Sequence, residues 1–143
     1  MNVNIKRAVL AGVAGTAVMT LVATVVAPMM GMPRMNPADM LASQMGNNAI
    51  LGWMGHFMIG IVFAGAYASV APALPGPLPM RGAMFGVGPW LMAQVAVMPM
   101  MGMGLFSGSM VMSGGSLLGH MVYGAVVGVV YGAPPLGTQR ITA

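Results

Sequence analysis

The sequence predicts an all-α membrane protein: four transmembrane helices forming two tandem parallel helical-hairpin repeats, related by a pseudo-two-fold axis along the membrane normal. Three observations carry this expectation. Apolar types make up 58% of the 143 residues and charged types 4%, against roughly 25% charged in a soluble domain. Four apolar stretches without Lys, Arg, Asp or Glu approach or reach the ~20 residues a helix needs to cross a bilayer. The second half of the chain also repeats motifs of the first in the same order. This composition excludes a water-soluble globular domain. It also excludes an intrinsically disordered chain, which combines low hydrophobicity with high charge. With no cysteine in the chain, disulfides, zinc–thiolate sites and iron–sulfur clusters are excluded as well.

Span one is expected over about Ala8–Ala27. Lys6 and Arg7 before it resemble the start of a signal peptide. The apolar run is too long for one, however, and the small-residue site Val25-Val26-Ala27 precedes Pro28, so the span is read as retained. The loop 28–49 carries Asn36-Pro37-Ala38-Asp39, an N-cap, a proline at N1 and an acid at N3. Met40, Leu41 and Met45 follow, with Gly46 as a stop signal, so a short interfacial helix is expected there. Span two covers about Ile50–Ala71, and Pro72, Pro75, Pro77 and Pro79 make a stiff turn after it. Span three covers about Gly82–Met101, with Gly88-Pro89 expected to kink it. After a loop at 102–115, span four covers about Ser116–Ala133. The span interiors hold Gly and Ala rather than alternating polar residues, which fits helices and not a barrel.

The basic residues orient the bundle. Lys6, Arg7, Arg81 and Arg140 fall on one side; only Arg34 falls on the other, where Asp39 can offset it. The positive-inside rule then places both termini and the 72–81 loop in the cytoplasm and the loops 28–49 and 102–115 outside, facing the periplasm. The net charge of +4 is a topology signal. Without a basic cluster or an aromatic platform it is no nucleic-acid footprint.

The repetition is specific. Pro28-Met29-Met30-Gly31-Met32 recurs as Pro99-Met100-Met101-Gly102-Met103, 71 residues on. Gly55-His56-x3-Gly60-x-Val62-x4-Tyr67 recurs as Gly119-His120-x3-Gly124-x-Val126-x4-Tyr131, 64 residues on. Arg7-x4-Gly12-Val13 recurs as Arg81-x4-Gly86-Val87. A single domain, residues 1–143, therefore divides into repeats of about 7–71 and 81–133.

Each repeat holds one histidine on a stripe of small residues. Gly52, His56, Gly60, Ala64 and Ala68 recur every fourth position in span two; Ser116, His120, Gly124, Gly128 and Gly132 do so in span four. Such stripes let membrane helices approach closely. A lipid-facing imidazole is costly, so both histidines should face the bundle. One reading is glue, each ring donating to a carbonyl on a neighbouring helix. The other is a shared site across the pseudo-two-fold axis: His56 and His120 as axial ligands of haem b or as two ligands of a soft metal, with Gly60 and Gly124 leaving room for a flat macrocycle. Arg34 alone is available to meet haem propionates.

Fifteen of the 20 methionines belong to the outward side of the two repeats. Thioethers favour Cu(I), so Met29, Met30, Met32, Met100, Met101 and Met103 of the P-M-M-G-M turns are the candidate metal ligands beside the histidines. Against this stands methionine's use as an adaptable filler or partner surface. Gln94 is expected to bridge helices. Thr16, Thr20 and Thr24 are expected to bond back to their own helix. No span contains an acid, which argues against a carboxylate proton relay. No nucleophile–base–acid constellation is present either, so an enzyme acting alone is not expected.

The ordered set R-x4-G, P-M-M-G-M-P (Pro28–Pro33), G-W-x2-H-F-x-I-G (Gly52–Gly60) and L-L-G-H-x-V-Y-G (Leu117–Gly124) resembles a group of small bacterial inner-membrane proteins catalogued as a domain of unknown function. The resemblance covers about residues 7–133. It implies four helices and a bacterial inner membrane, and it brings no activity, substrate or cofactor. The function expected from the residues is a non-enzymatic membrane protein with a periplasm-facing His/Met site for copper or haem b. The alternative is an accessory subunit of a larger membrane complex, or a homo-oligomer, in which the same residues serve packing and partner contact.

Overall fold

The computed structural model describes residues 3–132. Among these the chain is helical, with no strand, and four helices are long and apolar enough to cross a membrane: α1 (Ile5–Met29), α3 (Ala49–Ala73), α4 (Leu78–Met100) and α5 (Met110–Tyr131). The short α2 (Pro37–Ser43) precedes α3. The expected end of span four at Ala133 and the flanking Arg140 lie outside the described residues.

Capping explains where the helices begin. The Asn4 side chain accepts from Arg7 N at 3.1 Å, Asn36 from Ala38 N at 3.1 Å, and Asn48 from Ile50 N and Leu51 N at 3.0 and 3.2 Å. Each bond satisfies an amide that has no partner inside its helix. The expected interfacial helix is α2. It ends before Gly46, which takes a left-handed φ of 66°.

The start of span four differs from expectation. Ser113, Gly114 and Gly115 suggested loop, yet α5 begins at Met110, with Ser109 as its N-cap. Glycine is common inside membrane helices and does not break them; here Gly115 packs against the Met32 sulfur and Ser113 is 3% exposed. His120 therefore lies about 15 Å along its helix, and His56 about 10 Å along its own, at 1.5 Å per residue, whereas the expected span starts at Ser116 and Ile50 would put them about 6 and 9 Å in.

The four long helices form an arc. α4 lies along α5, α5 along α1, and α1 along α3, whereas α3 and α4 barely meet. Glycine backbones make the seams. A Cβ on Gly12 of α1 would stand 2.5 Å from Ile61 Cα of α3, and one on Gly82 or Gly86 of α4 would collide with the Gly124 or His120 carbonyl of α5. At the end away from α2 the arc is closed by a core of Ala8, Ala11, Ala64, Tyr67, Ala68, Tyr123, Val127 and Tyr131. Tyr67 and Tyr131 meet edge to face there, 6.1 Å apart. Tyr123 Oη donates across the bundle to the Gly60 carbonyl at 2.5 Å.

Both α1 and α4 contain one π-helical turn, Val22–Val26 and Ala93–Val97, each running into a proline. Proline lacks the amide for the i→i−4 bond, and the residue before it bonds one residue further back: Ala27 N to Val22 O, and Met98 N to Ala93 O. Beyond the prolines the chain turns alike at both places. Met32 N bonds Ala27 O and Met103 N bonds Met98 O, each at 3.0 Å, around Gly31 and Gly102 at φ 81° and 76°.

Candidate functional site

Because α3 and α4 stand apart at the α2 end, a cavity of about 520 Å³ lies between them, backed by α1 and α5. Its size is that of a small-molecule site. It opens sideways, since Met58, Val62 and Met92 line it yet remain 61%, 66% and 49% exposed.

His56 and His120 both line this cavity. The two helices that carry them scarcely touch; the histidines share this cavity from different helices. Each is held through one nitrogen. His56 Nε2–H donates to Thr20 Oγ1 at 3.0 Å, because the Thr20 proton is already given to the Thr16 carbonyl at 2.8 Å. His120 Nδ1–H donates to the Ser116 carbonyl at 2.8 Å. The remaining nitrogens, Nδ1 of His56 and Nε2 of His120, make no hydrogen bond to the described residues, so both are lone-pair donors. An imidazole whose second N–H is fixed to a carbonyl or hydroxyl is oriented as metal-ligating histidines are.

A polar chain supports His120. Ser107 Oγ–H donates to Gln94 Oε1 at 2.8 Å, and Gln94 Nε2–H to Ser116 Oγ at 3.3 Å, one turn before His120. Gln94 is fully buried within the π turn of α4. It bridges helices as expected and also holds the 105–108 turn against the bundle. Ser107 keeps a left-handed φ of 59° to reach it. Thr20 and Thr24 bond back to their own helix as expected. Thr16 does not: its buried hydroxyl has no partner and packs against Gly60.

Other expected site residues are distributed differently. Gly60 lines the cavity, while Gly124 is packed on the Gly82 backbone of α4, which leaves no room there for a macrocycle. Of the six methionines singled out, Met101 lines the cavity and Met32 lines a smaller neighbouring pocket. Met29, Met30 and Met100 point outward, 82%, 67% and 84% exposed, and Met103 lines neither space. Methionines that the turn motif did not identify take their place, namely Met19, Met35, Met40, Met58, Met92 and Met98. Spacing offered one usable signal, Ser116 four residues before His120. Nothing in the sequence marked Thr20 as the partner of His56.

The chemistry available follows from this donor set. Among the described residues no three His, Cys, Asp or Glu side chains come together to hold a metal ion. A metal bound here would rest on two imidazole nitrogens and thioether sulfur, all neutral, the nitrogens borderline and the sulfur soft.

A family profile described as "Family of unknown function (DUF6789)" matches residues 2–139. No curated protein and no solved structure matches the chain.

Proposed function

The chain belongs to this family of unknown function, and from the chemistry of its cavity we propose that it is a non-enzymatic membrane protein that binds Cu(I) through His56 and His120, completed by methionine sulfur. The observation that carries the reading is the pair of imidazoles lining one cavity, each fixed through one nitrogen and open at the other. Soft neutral ligands select a soft ion. The spans also hold no carboxylate to offset a second positive charge, which favours a monovalent ion over Zn²⁺.

Haem b fits less well. Among the described residues no Lys or Arg lines the cavity to meet propionates. The open nitrogen of His56 is Nδ1, beside its own Cβ, where a macrocycle is crowded. The accessory-subunit reading draws support from one observation: Met29, Met30, Met100 and Met110 form an exposed rim at the α2 end, each at least 67% accessible, as an adaptable contact surface would be.

The two π turns, the two proline turns with matching bonds and the two glycine seams support the tandem-hairpin reading and its pseudo-two-fold axis. On that axis the α1–α5 contact corresponds to α4–α3, the side that is open. The cavity thus exists because the symmetry is broken there. The basic residues support an orientation with the α2 end in the periplasm of a bacterial inner membrane and both termini inside.

In detergent and under reducing conditions, Cu(I) titration with a competing chelator should find chelator-resistant copper in the wild type and one such ion per chain fewer in His56→Ala/His120→Ala. Equal copper retention by the two proteins would refute the site, and a Soret band in the purified protein would favour haem instead. A reporter fused after Ala143 should be active only if it works in the cytoplasm; periplasmic activity would reverse the orientation.

A further inference from the structure

We propose that a second, sulfur-only site for a soft monovalent cation lies at the α2 end between α1 and α5, and serves as the entrance to the histidine cavity. The proposal rests on the Cu(I) reading of that cavity. Met19, Met32, Met35 and Met112 converge on a pocket of about 40 Å³. A water molecule needs roughly 10–15 Å³, so the space would hold about three waters, enough for one ion with its ligands drawn in and too little for an organic ligand. Among the described residues no charged side chain, histidine or amide lines it, and Ser116 supplies the one side-chain hydroxyl. Four methionines lining so small a space offer a neutral, soft thioether ligand set, which favours Cu(I) over alkali or hard divalent ions.

Two features show a built pocket. Met32 Sδ lies 3.1 Å from where a Gly115 Cβ would stand. The missing side chain at 115 therefore lets the Met32 sulfur lie against α5, and a branched residue would displace it. Met19, Met35 and Ser116 line both this pocket and the histidine cavity, so the two spaces share walls. A Cu(I) ion can pass inward by ligand exchange, releasing Met32 and Met112 as it gains His56 and His120. Met19 and Met35 stay within reach throughout, and the oxidation state does not change. Met32 belongs to the first P-M-M-G-M turn, which gives one residue of that motif a role the histidine cavity does not use.

The test uses Ag(I), a redox-inert soft monovalent probe, on the full chain in detergent. His56→Ala/His120→Ala protein is expected to retain one Ag(I) per chain with only sulfur in the first shell by X-ray absorption. Adding Met32→Leu/Met112→Leu, a volume-conserving change, should abolish it. In the protein with both histidines intact, Met32→Leu/Met112→Leu should leave the cavity ion bound while slowing loading at least ten-fold. Gly115→Val should lower occupancy of the sulfur site alone. If the wild type binds one Ag(I) and the histidine variant none, the cavity stands and the entrance site fails. If the wild type binds none, both fail. A sulfur-coordinated ion that survives loss of Met32 and Met112 also overturns the proposal.

Discussion

Thr20 shows how much of the site depends on a residue that touches no ligand. Its hydroxyl passes the hydrogen bond of His56 to the Thr16 carbonyl and so fixes which ring nitrogen stays open. Thr20→Val removes the acceptor and leaves a buried N–H, at a cost of about 1 kcal/mol. Loss of such a supporting partner typically weakens a metal about 10–100-fold. We expect Cu(I) affinity to fall by that factor in Thr20→Val, with helicity by circular dichroism unchanged; an unaltered affinity would remove Thr20 from the site. The histidines were legible in the sequence, because each stands on a small-residue stripe that must face the bundle. Thr20 was not, since its contact joins residues 36 positions apart and depends on how α1 and α3 dock. The methionines were legible as a cluster at one end but not as individual ligands.

The reason belongs to the scale of the element. Each P-M-M-G-M motif opens with the proline that follows a π turn, and the wider turn rotates the following residues off the 3.6-residue period that a sequence reading extrapolates. Hence Met29 and Met100 face out while Met98 and Met101 face the cavity. The same scale explains the misplaced start of span four, where Gly114 and Gly115 stand inside a continuous helix. The glycine seams give a sharp test. Gly82→Ala or Gly124→Ala sets a methyl against a carbonyl of the facing helix, and overpacking of this kind costs about 1–3 kcal/mol. Gly65 and Gly114 meet nothing within 4 Å, and alanine there should stabilise the helix by up to about 1 kcal/mol. Thermal unfolding in detergent should separate the two pairs by several degrees in opposite directions. Equal behaviour would contradict the seam.

At the scale of the whole molecule, composition and hydropathy were enough to place four spanning helices within a few residues, because a charge-free run of that length has few other stable states. They could not show that the helices form an arc closed by tyrosines at one end and open between α3 and α4 at the other. That shape is set by which glycines meet which backbones. The opening gives the buried His56 and the half-buried His120 a common cavity with two free lone pairs and several thioethers at hand, and the Cu(I) reading depends on it. The most direct measurement is the copper K-edge X-ray absorption spectrum of wild-type protein loaded with one Cu(I) per chain and washed free of excess. The account predicts a low-coordinate Cu(I) shell containing both imidazole nitrogen and sulfur, with the imidazole signal lost in His56→Ala/His120→Ala. A shell without imidazole in the wild type, or copper that washes away entirely, would contradict it.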